Sequence, residues 1–128
     1  IGDVLCQVKG FLQDRVDVLT GQGVSPDRIV LDPGVGFGKT VAQNLSLLAR
    51  QDEWQLPGYP VLVGWSRKST LGSVLAQAGV VPDPGDRVHA SVAAALMSVE
   101  RGAHVVRVHD VKPTVDALRM WQAVRDNT

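Results

Sequence analysis

The sequence predicts an α/β protein, and the pattern favours the last three β/α units of a (β/α)8 TIM barrel. Three short apolar runs, at 28–32, 60–64 and 104–108, alternate with segments whose apolar residues recur every three or four positions. Such alternation implies parallel strands joined by right-handed crossovers. Each run leads directly into polar or charged residues, and a barrel builds its site from several strand ends in this way. An open doubly wound sheet is the alternative architecture.

The length of the chain limits it to part of a barrel. A complete barrel needs eight strands and about 250 residues, whereas this chain has 128 residues and three predicted strands. The chain also opens on Ile1, without an initiator methionine, inside a helical pattern. We therefore expect residues 1–128 to form the C-terminal part of a single barrel domain whose earlier strands are missing.

Composition and charge exclude several classes of protein. With 45% hydrophobic and 20% charged residues, the chain resembles an ordinary globular domain. Its formal net charge is zero, so no overall basic field attracts nucleic acid, and we expect no nucleic-acid partner. No apolar run is long enough to span a bilayer, so we expect no membrane partner. Cys6 is the single cysteine, which fits a reducing cytoplasm, and we expect it to be buried.

The first half of the chain predicts helix, strand and helix. The first helix ends at Gly21 or Gly23. Its apolar face contains Leu5, Val8, Leu12, Val16 and Leu19. Residues 28–32, RIVLD, form an unbroken apolar run of the kind that is covered on both faces in a parallel sheet. A second helix follows and ends before PGYP at 57–60. Its apolar residues are Val41, Leu45 and Leu48.

The second half contains two further strand and helix units. The strand at 60–64 precedes a helix with the apolar residues Leu71, Val74, Leu75 and Ala78. Asp86 is expected to cap the next helix. The apolar face of that helix is predicted to consist of Val88, Val92, Leu96 and Val99. After the strand at 104–108, a last helix begins near Pro113. It is predicted to turn Val115, Leu118 and Trp121 inward.

A glycine-rich loop, DPGVGFGKT at 32–40, follows the first strand. A Walker A motif would need a glycine where Pro33 stands. A dinucleotide motif counted from Gly34 and Gly36 would need a third glycine where Lys39 stands. The loop therefore belongs to another class, in which glycines let the backbone approach a flat or anionic ligand.

Three motifs in order resemble those of dihydropteroate synthase: DPGVGFGK at 32–39, GWSRKSTLG at 64–72 and RVHDV at 107–111. The resemblance extends over nearly the whole chain. In that family these segments follow the sixth, seventh and eighth strands of a pterin-binding barrel. The resemblance therefore implies that residues 1–128 are the C-terminal part of one pterin-binding domain, and that this part alone is inactive.

The resemblance also implies an activity. The family is a transferase of folate biosynthesis that joins p-aminobenzoate to 6-hydroxymethyl-7,8-dihydropterin diphosphate, giving 7,8-dihydropteroate and pyrophosphate. It further implies assistance by Mg²⁺, with ligands outside this chain segment, and a cytoplasmic homodimer that is a target of sulfonamides. A pterin-binding methyltransferase domain and a non-catalytic pterin-binding paralogue are the alternatives. The methyltransferase has no need of the cationic SRK and RVH segments.

The chemistry of the residues agrees with these substrates. The Asp32 carboxylate can accept two parallel hydrogen bonds from a pterin ring N–H and amino group. Lys68 can reach the pterin carbonyl and ring nitrogen. Arg107 and His109 are separated by one residue of a strand, so both point to one face and can hold a diphosphate. Lys68, Arg107 and His109 are the candidate catalytic residues.

Further substrate contacts follow from the resemblance. It implies that Gly36 and Phe37 lie beside the aminobenzoate and that Ser69 binds its carboxylate. Arg67 is expected to bind an anion together with Lys68, because cations at the start of a helix oppose the helix dipole unless an anion is bound there. Lys39 either orients the glycine loop or pairs with Asp32.

The remaining histidines and tryptophans are assigned structural roles. We expect His89 and His104 to be structural and Trp54 and Trp121 to lie in the core or an interface. Two residues depart from the family pattern, which often has a smaller residue and an aromatic at these positions. Trp65 is expected to line the mouth of the site, and Thr70 to loosen the packing there.

Overall fold

The computed structural model describes residues 3–128. The described chain contains six α-helices and one two-stranded sheet, with bounds α1 Val4–Gly21, α2 Val41–Ala49, α3 Gln51–Trp54, β1 Leu62–Val63, α4 Ser69–Leu75, α5 Val88–Glu100, β2 Val105–Val106 and α6 Val111–Arg125. Short 3-10 helices occupy Pro26–Arg28 and Pro84–Asp86. No helix within residues 3–128 combines the length and the hydropathy that crossing a bilayer requires.

The sheet has the predicted parallel order. β1 pairs with β2 in parallel, with Leu62 opposite Val105. Leu31 forms an isolated parallel bridge with Val61 on the other side of this pair. The prediction of three parallel neighbouring segments is therefore confirmed, but the predicted strands at 28–32, 60–64 and 104–108 are too long. In the first of them, only Leu31 joins the ladder.

The first helix packs the face that its periodicity predicted. Leu5, Val8, Leu12 and Val16 are buried against the rest of the core. Leu19, near the end of α1, is 38% exposed, so the prediction of a continuous face fails in the last turn. The prediction that Cys6 is buried is also wrong, because it lies beside that face and is exposed.

The next two helices bury fewer apolar residues than their patterns predict. In α2, Leu48 is buried, but Val41 and Leu45 are more than a third exposed. Leu71 of α4 is buried, whereas Val74 and Leu75 are exposed. Ala78 was predicted to belong to α4 but lies beyond its end, in a turn between Gln77 and Val80, with a positive φ of 50°.

Small side chains form the buried face of α5. The fully buried residues are Ser91, Ala94, Ala95 and Ser98. The predicted face is only half-buried, at Val88, Val92, Leu96 and Val99. The two serine hydroxyls donate to carbonyls four residues earlier, which satisfies them inside the core. The predicted cap is also wrong, because Asp86 ends the 3-10 helix and Arg87 is the N-cap residue.

The last helix begins near Pro113, as predicted, but its buried face differs from the prediction. α6 begins at Val111, two residues before Pro113. Thr114 is its buried residue, and the Thr114 hydroxyl is satisfied by donating to the Asp110 carbonyl. Val115 is 37% exposed. Leu118 and Trp121 are half-buried.

Two of the structural assignments are borne out by hydrogen bonds. Trp54 is 1% exposed and donates its indole N–H to the Leu47 carbonyl, so it belongs to the core. His104 accepts the Val61 backbone N–H on Nδ1 at 3.2 Å, which ties β2 to the residue before β1. His89 is an exposed residue of α5.

Candidate active site

Lys68 connects the three segments that carry the sequence motifs. Its Nζ donates to the Val35 carbonyl at 2.6 Å and lies 5.0 Å from the centroid of the Phe37 ring. Its alkyl chain passes so close to Gly36 that an added Cβ there would lie 3.1 Å from Lys68 Cδ. Lys68 also shares a cavity of 130 Å³ with Arg107 and His109. The ends of the three parallel segments therefore lie close together around Lys68, but they do not line one pocket as predicted, because Asp32 lines a separate cavity.

The glycine loop, residues 34–39, is held from within by Lys39. Its Nζ donates to the Gly34 carbonyl at 2.8 Å and to the Phe37 carbonyl at 3.0 Å. Of the two predicted roles for Lys39, the structure shows the first, orientation of the loop. Among residues 3–128, Lys39 forms no ion pair with Asp32 within 4.0 Å.

The alternate glycines of this loop have left-handed backbone conformations. Gly34, Gly36 and Gly38 have φ values of 70°, 86° and 62°. Residues with a Cβ adopt such values at a cost of roughly 1–2 kcal/mol. At Gly36 a side chain would in addition press against Lys68. The spacing of the glycines thus follows from the path of the backbone under Lys68.

Asp32 stands at the edge of this loop with its carboxylate exposed. Its Oδ1 accepts the Gly34 N–H at 2.8 Å, which orients the side chain. Asp32 lines a cavity of 390 Å³ together with Phe37 and Lys39 on the loop and Val8 and Phe11 on α1. The cavity therefore combines a carboxylate, an ammonium group and aromatic surface, which suits a flat ligand with hydrogen-bond donors.

Asn44 is a positioning residue that the motifs did not reveal. Its Oδ1 accepts the Gly36 N–H at 2.9 Å, and its Nδ2 donates to Thr70 Oγ1 at 3.0 Å. Both side chains are almost fully buried. Thr70 was predicted to loosen the packing, and that prediction is wrong, because its hydroxyl completes this link from α4 to the glycine loop. A polar residue within the apolar pattern of α2 was the sequence feature that could have indicated it.

The loops after β1 and β2 are joined by an ion pair. Arg67 donates two hydrogen bonds to the Asp110 carboxylate, Nη2 to Oδ1 at 2.8 Å and Nε to Oδ2 at 3.2 Å. These bonds hold the pKa of Asp110 below its ordinary value and raise the pKa of Arg67. The guanidinium of Arg67 thus binds Asp110, and its predicted contact with a substrate anion stays a prediction.

Ser91 of α5 and Arg87, the N-cap residue of that helix, fix the backbone of Arg67. Arg67 has a φ of 58°, which is unusual for a residue with a side chain. Its N–H donates to Ser91 Oγ at 2.9 Å, and its carbonyl accepts Arg87 Nη1 at 2.9 Å. Arg87 is 9% exposed and also donates to the Pro82 carbonyl. These hydrogen bonds fix the backbone at Arg67, and they therefore fix the direction in which the adjacent Lys68 side chain extends into the site.

Arg107 and His109 lie on the same side of the chain, as the strand spacing predicted. Both line the 130 Å³ cavity, and the Arg107 guanidinium lies over Gly64. An added Cβ at Gly64 would lie 2.6 Å from Arg107 Nη2. Within residues 3–128, the Arg107 side chain forms no ion pair, so its donors are open to an anionic ligand.

Two further residues that were predicted to lie at the site, Ser69 and Trp65, line neither of its two cavities. Ser69 is exposed at the first residue of α4 and is absent from the lining of both cavities. Trp65 was predicted to line the mouth, but it is 3% exposed and packs in an apolar groove between α2, α4 and α5. The prediction for Trp65 is wrong because the residue packs against the helix layer.

The cations of the site influence one another. Burial lowers the pKa of Lys68, and the nearby Arg107 lowers it further, while Asp32 acts in the opposite direction. Burial also lowers the pKa of Lys39, again opposed by Asp32. A bound anion would relieve the repulsion between Lys68 and Arg107. Among residues 3–128, no group of three or more His, Cys, Asp or Glu side chains is arranged to hold a metal ion.

Comparison with known proteins gives consistent matches. Residues 2–109 match the family model described as pterin binding enzyme. The chain is 46% identical to the dihydropteroate synthase of Neisseria meningitidis serogroup B, over 98% of this chain and 44% of that protein. It is 40% identical to the dihydropteroate synthase of Escherichia coli, over 94% of this chain and 41% of that protein. The chain thus spans less than half of either relative.

Solved structures are similar over the same extent. The Burkholderia cenocepacia dihydropteroate synthase, complexed with 7,8-dihydropteroate, superposes with a TM-score of 0.91 at 50% identity. That match covers 99% of this chain and 46% of the other. The Xanthomonas albilineans enzyme with 4-aminobenzoic acid gives a TM-score of 0.92 at 43% identity, over 98% of this chain and 44% of the other.

Proposed function

Since the chain belongs to the pterin binding enzyme family, we propose that it supplies the last three β/α units of a dihydropteroate synthase. The complete enzyme would join p-aminobenzoate to 6-hydroxymethyl-7,8-dihydropterin diphosphate and release pyrophosphate. The observation that carries this proposal is that Lys68 contacts the loop that follows Asp32 and shares a cavity with Arg107, so the ends of three parallel segments lie close together. The relatives of 40–46% identity named above support it.

Asp32 and Lys68 orient the pterin in this proposal. The Asp32 carboxylate is exposed, and the Gly34 N–H fixes its direction. Two oxygens in one plane match a ring N–H and an adjacent amino group. Lys68, tethered to the Val35 carbonyl, approaches from the opposite loop and donates to the pterin carbonyl and ring nitrogen. These contacts position the substrate without forming a covalent bond to it.

Arg107 and His109 bind the diphosphate that leaves. If the C–O bond to diphosphate breaks before the amine attacks, the task is to stabilise a departing anion and a delocalised pterin cation. Fixed donors close to the developing negative charge perform that task. The Arg107 fork, the His109 ring and Lys68 border one cavity and supply such donors. Catalysis therefore needs no nucleophilic side chain.

The second substrate lies against the glycine loop. The Phe37 ring is exposed, and Gly36 beside it has no side chain, which leaves room for a benzoate ring. Ser69 donates to the carboxylate of p-aminobenzoate in this proposal. Its exposure at the first residue of α4 supports access from solvent.

Other properties of the family extend the proposal. They are assistance by Mg²⁺, a cytoplasmic location, a homodimer and sensitivity to sulfonamides. Mg²⁺ would neutralise the diphosphate and help it to leave. Its ligands are expected outside this chain segment, and within residues 3–128 no group of three or more His, Cys, Asp or Glu side chains is arranged to hold a metal ion.

Release of pyrophosphate by the full-length protein tests the function. We expect release that requires both substrates and stops when p-aminobenzoate is left out. A pterin-binding methyltransferase domain would bind pterin without releasing pyrophosphate, and a non-catalytic paralogue would behave in the same way. Binding of the pterin without any release would therefore overturn the proposed reaction.

The roles of two residues can be separated by calorimetry with free dihydropterin and with its diphosphate ester. Asp32→Asn should weaken both ligands by roughly 30- to 150-fold, on the order of 2–3 kcal/mol for a lost charged hydrogen bond. Arg107→Ala should leave dihydropterin binding unchanged and weaken only the ester. Equal loss of both ligands in Arg107→Ala would contradict this division of roles.

A further inference from the structure

A largely buried hydroxyl lies beside the His109 ring, at the wall of the cavity that Lys68, Arg107 and His109 also line. Ser66, one residue before Arg67, is 6% exposed, and its Oγ is 2.8 Å from His109 Nδ1. The same Oγ accepts the backbone N–H of His109 at 3.1 Å. Ser66 therefore contacts both the backbone and the ring of His109, which belongs to the loop after the neighbouring strand.

These two contacts determine where the proton of the neutral ring lies. Ser66 Oγ already accepts one hydrogen bond and has a single proton to donate. Among residues 3–128, His109 Nδ1 is the one acceptor within hydrogen-bond distance of that hydroxyl. If Nδ1 itself carried a proton, the largely buried hydroxyl hydrogen would have no acceptor among residues 3–128, which is costly. The neutral ring thus accepts on Nδ1 and carries its proton on Nε2.

We propose that Ser66 is a positioning residue that fixes the tautomer and direction of His109, so that Nε2–H is the donor offered to the leaving anion. His109, Lys68 and Arg107 then present three donors to the same 130 Å³ cavity. Lys68 and Arg107 supply charge, while His109 supplies a directed hydrogen bond whether its ring is neutral or charged. The identity of the ligand as the leaving diphosphate rests on the proposed function. The assignment of the His109 tautomer does not depend on that function.

Nitrogen NMR of the full-length protein with labelled histidine tests the tautomer directly. The His109 signals are assigned by their loss in His109→Gln. We expect the neutral ring of the unmodified protein to carry its proton on Nε2, and the Nδ1-protonated form to appear in Ser66→Ala. Ser66→Thr keeps the hydroxyl and should restore the original tautomer. Ser98→Ala, which truncates another buried serine hydroxyl, in α5, should leave the His109 ring unchanged.

Binding of inorganic pyrophosphate by the same variants tests the consequence. Ser66→Ala should weaken it about 5- to 10-fold, the scale of one neutral hydrogen bond, and leave binding of free dihydropterin unchanged. A proton on Nδ1 in the unmodified protein would overturn the inference even if Ser66→Ala did not fold. An unchanged tautomer in a folded Ser66→Ala would overturn it as well. The expected tautomers without pyrophosphate release would count against the proposed function alone.

Discussion

The two sides of the candidate site are held in different ways. The glycine loop, residues 34–39, is fixed through its backbone by Lys39, Lys68 and Asn44. The paired loops, residues 64–69 and 107–110, are fixed by side chains that bond to each other, through Arg67 with Asp110 and Ser66 with His109. The glycine loop thus depends on side chains that bond to its backbone N–H and C=O groups, whereas the paired loops also depend on bonds between their own polar side chains.

This difference separates adjustable from preset parts of the site. In the glycine loop, the ammonium group of Lys68 that holds the Val35 carbonyl is also the group proposed to bind substrate. The loop can therefore exchange an internal bond for a ligand bond. In the paired loops, Arg87 and Ser91 hold Arg67 from behind, away from the cavity that Arg107 and His109 line. That side is formed before any ligand arrives.

The largest effect is expected where the paired loops rest on Arg87. A Cβ added at Gly72 would lie 2.7 Å from Cζ, Nε and Nη2 of the Arg87 guanidinium. Gly72→Ala would thus break the bonds of Arg87 to Pro82 and Arg67. We expect a loss of about 2–3 kcal/mol in the free energy of unfolding of the full-length protein, measured by chemical denaturation.

A second helical glycine provides the control for this prediction. Gly10 lies inside α1 with no atom within 4 Å of an added Cβ. Gly10→Ala should stabilise the protein by up to about 1 kcal/mol, because alanine has the higher helix propensity. If Gly72→Ala were equally stabilising, the support of the paired loops by Arg87 would be refuted.

A slightly smaller effect is expected when the support of the glycine loop is removed. Asn44→Leu would leave the Gly36 N–H and the Thr70 hydroxyl without their partner. The expected loss is about 1–2 kcal/mol for unsatisfied groups in the interior. Hydrogen exchange should become faster at the Gly36 amide and stay unchanged at residues 64–69.

The control for Asn44 is an exposed asparagine. Asn127 donates to the Ala123 carbonyl near the end of the chain. Asn127→Leu should leave both stability and exchange in the glycine loop unchanged. Faster exchange in both regions of Asn44→Leu would mean that the two sides of the site are not held independently.

A third effect, of about 1 kcal/mol, is expected from backbone strain alone. Gly38 has a φ of 62°, and nothing lies within 4 Å of an added Cβ. Gly38→Ala should therefore destabilise the protein without displacing a neighbouring side chain, as measured by thermal unfolding. Gly85→Ala, which also has open space but no positive φ, is the matched control. Equal stability of the two variants would argue against strain in the glycine loop.

The smallest effect is expected at the ion pair of the paired loops and should depend on pH. Because Arg67 lowers the pKa of Asp110 in the folded protein, the stabilisation is present above the unfolded pKa, near 3.8. It is lost as the pH falls through the lower pKa of the folded state. The stability difference between the unmodified protein and Asp110→Asn should therefore disappear on acidification, as measured by denaturation at several pH values.

The exposed Asp14 of α1 serves as the control for the ion pair. Within residues 3–128 it has no cation within 4.0 Å, so Asp14→Asn should not alter the acid limb of the stability curve. If the stability difference between the unmodified protein and Asp110→Asn stayed constant across the acid range, the ion pair would not be the source of that difference.

Local patterns of the sequence determined the order of elements and the residues at the strand ends. The apolar run that contains Leu31 and the apolar face around Leu12 are short-range patterns, and both appear in the fold. Asp32, Lys68 and Arg107 follow predicted strands directly, and the ends of parallel neighbours must meet at one edge of a sheet. Their convergence could thus be predicted without coordinates.

Only the tertiary structure decided which residues support that edge. Asn44 contacts Thr70, 26 residues away, and Ser66 contacts His109, 43 residues away. The apolar periodicity of α5 predicted Val92 and Leu96 as its buried face, but close packing buries the polar residues Ser91 and Ser98 instead. The surroundings of Trp65 were missed for the same reason. Burial of a polar group depends on a partner that is distant in the sequence, and no local pattern records the distance to that partner.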